Sequence, residues 1–294
     1  MKMNAKVKPF AMIRRRFLTL SFALLFSCGL RAAEPVDVLV QGAMMVEVKE
    51  FVAALGPTAE KVRLGPYSFW VGKIGPHRVA VSLTGQTLLN STATTVLGIE
   101  EFKPKLIVNQ GTSGAQVPYL GLHDIIIGER ALDYGAFTTP VRAAGAGSAP
   151  LNWTPTFQRL RDAKTGELVE FPRGFAGDAA ALAVALRTRN PMGRVYPGVI
   201  GSAHEINLEL DRVRWSARTF GMDVEEMESG HVAAVAHAYG ISYIAFRVVS
   251  DAPYEGVPFY AQAARASILF TLNFLENLPP LASTPPASVA PSAR

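Results

Sequence analysis

The sequence predicts an α/β protein layered around a sheet, and three observations predict it. Apolar strand-like runs alternate with segments of helical period along most of the chain. Of the 294 residues, 49% are hydrophobic, enough for a sizeable core in one large domain or two small ones. One apolar run, 243–249, ends directly in Ser250-Asp251, and open α/β sheets carry their ligand groups at such carboxyl ends of strands.

The elements follow in order. Residues 36–41 read as a short apolar strand, and 45–55 as a helix with Val48, Phe51, Val52 and Leu55 on one face. Residues 67–74 and 78–83 form a hairpin pattern around Gly75-Pro76, and 88–102 are helix-like. A strand at 105–108 enters the glycine-rich stretch Asn109-Gln110-Gly111-Thr112-Ser113-Gly114-Ala115, which reads as a turn. A strand follows at 124–132. Asp178 caps a helix that continues to about Arg187. Then come a strand at 194–201, a helix at 207–219, a short strand at 222–226, a helix at 229–239, the strand at 243–249 and a final helix at 259–278. Residues 140–177, rich in Gly, Ala and Pro, interrupt this rhythm as a long insertion, a length at which loops are commonly functional or disordered. From Pro279 on, Pro, Ala and Ser dominate, so 279–294 is expected to be a flexible tail. The main domain is therefore 34–278.

The sequence pI of about 9.4 suggests nucleic acid, but the charge distribution excludes that reading. Seven of the 29 Lys and Arg lie in residues 1–33 (Lys2, Lys6, Lys8, Arg14, Arg15, Arg16 and Arg31), with no acid, leaving 22 against 24 Asp and Glu. The basic segment is followed by an apolar run at 17–30, shorter than the roughly 20 residues a membrane span needs. The leader reads as an export signal cleaved near Ala33, with Arg14-Arg15-Arg16-Phe17-Leu18 similar to a twin-arginine pattern. The expected location is the periplasm. Leu25-Phe26-Ser27-Cys28 is a poor match to a lipoprotein box, so a lipid anchor at Cys28 is the minor alternative. Cys28 is the only cysteine, and its removal would leave no disulfide, thiol nucleophile or cysteine metal site.

His77, His123, His204, His231 and His237 lack metal-binding spacing, so no metal is expected and exposed or capping roles are. Ser113 as a nucleophile would need Gly-x-Ser-x-Gly on a strand-to-helix corner, but Ala115 breaks the pattern and Pro118 interrupts a helix. The carboxylates are more informative. Glu225, Glu226 and Glu228 flank Met227 between a short strand and a helix start, Glu47 lies early in the first helix, and Asp251 ends a strand. Singly, these are first-turn acids, a solvated helix residue and a turn cap.

Together, five ordered motifs resemble the nucleoside phosphorylase and nucleosidase superfamily, most of all the 5′-methylthioadenosine/S-adenosylhomocysteine nucleosidases, over most of 36–278. The motifs are Gly42-Ala43-Met44-Met45-Val46-Glu47, Asn109-Gln110-Gly111-Thr112-Ser113-Gly114, His123-Asp124 where the family has Gly-Asp, Glu226-Met227-Glu228, and Arg247-Val248-Val249-Ser250-Asp251. The resemblance implies a three-layer α/β/α sandwich with a central mixed, twisted sheet, a homodimer and no cofactor. It implies that Asp251 protonates N7 of a departing purine, that Glu47 activates water, and that Glu228 grips the ribose hydroxyls. Met227 would line the sugar, and Arg247 and Ser250 would hold the water and orient its partners. Glu226, Thr112, Ser113, Gly114 and Ile206 would complete the substrate site. Glu205 falls where the family stacks a Phe on the base, so it would accept purine N–H groups and shift preference from adenine toward guanine or hypoxanthine. A register offset of one residue is the other reading of that segment.

Phosphorylases of this superfamily need cations for phosphate, usually with an Arg near the first strand, and Glu47 occupies that segment. Like charges about 4 Å apart repel by roughly 4 kcal/mol at an intermediate dielectric, which favours water. A phosphorylase and a non-catalytic nucleoside-binding or storage protein are the alternatives. Trp153 and Phe157 from the insertion, or Tyr254 and Phe259, would wall the 5′ side of the pocket or else pack the insertion itself.

Overall fold

The computed structural model describes residues 34–162 and 165–281. The expected leader with Cys28, and positions 282–294 of the expected tail, lie outside the described residues. The chain forms β1 (Val38–Gly42), α1 (Met45–Ala54), β2 (Glu60–Leu64), β3 (Tyr67–Ile74), β4 (His77–Leu83), α2 (Thr87–Phe102), β5 (Leu106–Ala115) and β6 (Ile125–Asp133). The insertion and its flank hold the short strands β7 (Phe137–Thr138), β8 (Thr154–Pro155), β9 (Arg159–Arg161), β10 (Leu168–Glu170) and β11 (Phe175–Ala176). Then follow α3 (Ala179–Ala185), β12 (Val195–Ser202), α4 (Leu210–Phe220), β13 (Val224–Glu226), α5 (Ser229–Tyr239), β14 (Ser242–Asp251) and α6 (Ala264–Asn277).

The main sheet is mixed. From one edge it runs β2-β3-β4-β1-β5, with β1 parallel to both β4 and β5. Beyond β5 it closes on itself. β5 pairs with β13, β13 with β12, β12 with β6, and β14 joins β6 back to β5. Strands buried on both faces need apolar side chains on both. Val38 and Val40 of β1 thus enter one core with Val48 and Phe51 of α1 and Phe270 and Phe274 of α6. Leu39 enters the other core with Ile99 and Phe102 of α2 and Val232 and Ala236 of α5. Helices on both faces make the three-layer sandwich.

The structure differs from the sequence expectation in several places. The 109–115 segment is not a turn: β5 runs straight through it, with Gly111 and Gly114 opposite Arg247 and Asp251 of β14. Glycine serves here for close approach, because a Cβ on Gly111 would lie 2.7 Å from Arg247 Nη1 and 2.8 Å from Glu47 Oε1. The last helix begins at Ala264, because the Tyr260 N–H donates to Ser250 O (2.8 Å) and holds that segment extended at the end of β14. The fourth helix begins at Leu210, because the Asn207 N–H is taken by Glu225 Oε1 (2.8 Å). His77 and His231 are buried rather than exposed, with Nε2 of His77 bonded to Leu278 O (2.9 Å) and Nε2 of His231 3.5 Å from Asp133 Oδ2.

Phe246 of β14 is fully buried with ring centroids 5.1 Å from Phe270 and 4.9 Å from Phe274. Phe246→Ala opens a cavity between the closed part of the sheet and α6. It should cost about 3–5 kcal/mol of stability, read from urea unfolding midpoints.

Candidate active site

A cavity of about 270 Å³ opens over the C-terminal half of β5. All twelve residues expected from the sequence to form the site line it, drawn from five separate parts of the chain. What each can do depends on how it is held.

Glu47 sits in the first turn of α1. Its Oε2 accepts the N–H groups of Ala43 (2.8 Å) and Met44 (2.9 Å), and its Oε1 accepts the Thr112 N–H (2.9 Å) and hydroxyl (3.1 Å). The loop after β1 thereby aims the carboxylate over Gly111 of β5. Thr112 earns its place through this bond. Ser113 turns its hydroxyl to Val248 O (3.1 Å), which leaves it no nucleophilic arrangement.

Arg247 projects from β14 and is almost fully buried. One Nη2 contact is to Glu226 Oε2 (2.5 Å), with another to Asn109 Oδ1, while Nε donates to Ser229 Oγ (2.9 Å). Its Nη1 lies 3.5 Å from Glu228 Oε2. Burial works against its charge, but Glu226, Glu228 and Glu47 outweigh this and hold the guanidinium above its ordinary range. Glu226 also accepts the N–H groups of Glu228 (3.0 Å) and Ser229 (2.9 Å), so it closes the N-terminus of α5. Glu226 and Arg247 therefore hold the site from beneath, with Arg247 Nη2 committed to Glu226 and Asn109 and Nη1 turned toward Glu228 and Thr112 O (3.4 Å) in the cavity lining.

Glu228 presents one oxygen to the Thr87 N–H (2.9 Å). Burial raises its pKa, with the Arg247 charge opposing and Glu226 and Glu47 adding to the rise. Thr87 takes φ of 82°, an outlier for a β-branched residue, so the turn before α2 is strained where it touches this carboxylate. Met227 lies beside it in the lining. Asp251, at the end of β14, accepts the Ser250 hydroxyl at Oδ1 (2.8 Å). Burial raises its pKa, the Ser250 bond opposing.

At the other side of Gly114 stands Glu225. Its Oε1 accepts the Asn207 N–H (2.8 Å), and its Oε2 accepts the Tyr134 hydroxyl (2.7 Å) and Asn207 Nδ2 (2.6 Å). Burial pushes it up to about 7 against these donors. Glu205 lines the cavity at its rim, with Oε1 taken by Arg212 Nη2 (3.0 Å) and Asn207 Nδ2 (3.3 Å). Arg212 is wedged over the rings of Trp215 (4.5 Å) and Phe137 (5.0 Å). Ile206, Leu208 and Phe259 form an exposed apolar mouth, respectively 69%, 73% and 56% accessible. Of the four aromatics considered for the wall, only Phe259 lines the cavity. Trp153 packs on Phe137 (5.8 Å), and Tyr254 lies beside Arg214 (5.7 Å). Sequence reasoning missed Gln86, Leu208, Glu225 and Pro258 in the lining, and the Tyr134–Asn207–Arg212 support behind it; Gln86, Leu208, Pro258, Tyr134 and Arg212 carry no motif.

The Phosphorylase superfamily sequence profile matches residues 37–275. The chain belongs to that superfamily. Among its relatives, a 5′-methylthioadenosine/S-adenosylhomocysteine nucleosidase of Listeria monocytogenes is 27% identical over 221 residues, covering 71% of this chain and 84% of the relative. The nucleosidase of that name from Neisseria meningitidis, solved with methylthio-immucillin-A, superposes with a TM-score of 0.65 at 22% identity, covering 82% of this chain and 99% of the other. A futalosine hydrolase of Helicobacter pylori superposes equally well, with a TM-score of 0.65 at 20% identity over 82% and 98% of the two chains.

Two outcomes follow from the buried charges. Arg247→Met strands Glu226 and Glu228 without a countercharge and should cost about 3–5 kcal/mol, measured by urea denaturation. Glu225 has its folded pKa raised from 4.5 to about 7. Its stabilising contribution is therefore full below about pH 4.5 and lost as pH rises through about 7. Thermal melts should show that stability of the parent relative to Glu225→Gln falls across that window, by at most about 3 kcal/mol.

Proposed function

We propose that the protein is a purine-type nucleosidase that hydrolyses the N-glycosidic bond of 5′-methylthioadenosine or a related purine nucleoside, releasing free base and sugar. The observation that carries this reading is the placement of two differently held carboxyls along one strand. Asp251 faces Gly114 and Glu47 faces Gly111, three residues apart on extended backbone, or about 10 Å. Asp251 is shifted toward its protonated form, as an acid must be, and Glu47 is fixed by three backbone N–H groups, leaving the site of the rotatable Thr112 hydroxyl for a water proton.

In the proposed reaction, the bond between the anomeric carbon and the base nitrogen breaks. Asp251 gives its proton to N7, which neutralises the leaving base. Glu47 takes a proton from the water whose oxygen bonds to the anomeric carbon. Glu228 accepts hydrogen bonds from the ribose hydroxyls, with Met227 against the sugar. Ser250 orients Asp251, and Arg247 orients Glu228. Water is favoured over phosphate because Arg247 is the only Lys or Arg in the lining and is already shared by Glu226 and Glu228, while Glu47, Glu205 and Glu225 add further carboxyls. The named nucleosidase relatives support the same reaction class.

The reading extends to location and assembly. Residues 1–33 are proposed to be an export signal that directs the 34–278 domain to the periplasm, supported by the basic start and following apolar run. The apolar mouth of Ile206, Leu208 and Phe259 supports a homodimer in which a second copy covers it.

Base release from a nucleoside panel, with and without phosphate, tests the activity. Free sugar in both conditions is expected, and sugar 1-phosphate formed only with phosphate would replace the reading by a phosphorylase. Asp251→Asn and Glu47→Gln should each lower kcat by about 10²–10⁴-fold. Because the proton on Asp251 is required, kcat should fall as pH rises through its raised pKa. An unchanged alkaline limb in a Ser250→Ala variant, which removes the opposing bond, would count against Asp251 as the acid.

A further inference from the structure

We infer that Glu225, rather than Glu205, reads the leaving base, and that it selects a purine carrying an N–H on its six-membered ring, a 6-oxopurine, over a 6-aminopurine. The inference rests on the nucleosidase reading of the same pocket.

Geometry places Glu225 at the base end. β5 is flanked at Gly114 by Glu225 of β13 on one side and by Asp251 of β14 on the other. A Cβ built on Gly114 would meet Asp251 Oδ2 at 2.7 Å and Glu225 Cγ at 3.4 Å. Both residues therefore lean over Gly114 into the same cavity, the glycine leaving room for their side chains. On this placement, a base that offers N7 to Asp251 would have its six-membered ring within reach of Glu225, which lines the same cavity.

The hydrogen bonding gives Glu225 its selectivity. A carboxylate has about four acceptor sites. The Asn207 N–H, Asn207 Nδ2 and Tyr134 hydroxyl fill three, and all three act as donors. The fourth calls for another donor. The ring N1–H of a 6-oxopurine supplies one, whereas N1 of adenine brings a lone pair against a buried carboxylate. Glu205, held at Oε1 by Arg212 and Asn207, discriminates less sharply, because its side chain is 35% exposed at the rim, where water competes for its free acceptor sites, whereas Glu225 is buried. Arg212 itself is held by the Trp215 and Phe137 rings.

The test compares inosine with adenosine, which share one sugar, using the full protein on the alkaline side of neutrality, where Glu225 is ionised. The parent should favour inosine in kcat/KM by roughly 10- to 100-fold. Glu225→Leu should bring the ratio close to one, mainly through KM, and Glu225→Gln, which keeps the shape and one acceptor, should retain part of it. A parent that prefers adenosine, or variants that slow both nucleosides alike, would overturn the inference. Should neither nucleoside be hydrolysed, the nucleosidase reading fails, and calorimetric binding of hypoxanthine against adenine then decides the question. A hypoxanthine preference that weakens in Glu225→Gln supports it, and equal binding or none overturns it.

Discussion

The site depends on one buried cation. Arg247 enters the protein interior from β14 and meets Glu226 and Glu228 before α5, Ser229 at its start and Asn109 on β5. A guanidinium out of water is tolerated only when its donors are matched. Here the matching groups are also the groups that shape the pocket. The same charge that compensates Glu226 at the N-terminus of α5 lets Glu228 stand buried in the cavity lining. Fixing Arg247 thus fixes the spacing between β5, β14 and α5, and with it the distance from Glu228 to Asp251.

The second constraint is steric. Gly111 and Gly114 give β5 two bare positions on the face below the cavity, one beneath Glu47 and Arg247 and one beneath Asp251 and Glu225. Side chains at either position would collide with the carboxyls. The strand is therefore a floor whose two bare positions make room for polar groups that lean in from neighbouring elements. Burial then separates these carboxyls by environment: Asp251, Glu225 and Glu228 are all raised, each opposed by a different set of donors or by Arg247.

The layered fold and the carboxyl set were legible in the sequence because both are written locally, in apolar period and in short motifs. The burial of β1 and β14 on both faces follows their near-continuous apolar runs. The glycines of β5 were read as a turn because glycine signals a turn until its neighbours are known, and those neighbours are Glu47, Arg247 and Asp251, far away in sequence. Glu225 looked like an ordinary acid before a helix, since nothing local announces that Tyr134 and Asn207 converge on it. The strained Thr87 carries no signal either, because its conformation serves Glu228 across the fold. Trp153 was legible as an aromatic but not in its placement, which a ring on Phe137 decides.

The closed set of five strands sets an order of events. β14 is the last strand in the chain, yet it lies between β5 and β6, which precede it by more than a hundred residues. Until it inserts, those two strands face each other with unpaired edges, and neither Asp251 nor Arg247 is in place. Contacts of such long sequence separation form late. The pocket is therefore complete only once β14 is in place, and a chain still lacking it has the floor of the site without Asp251 or its central cation.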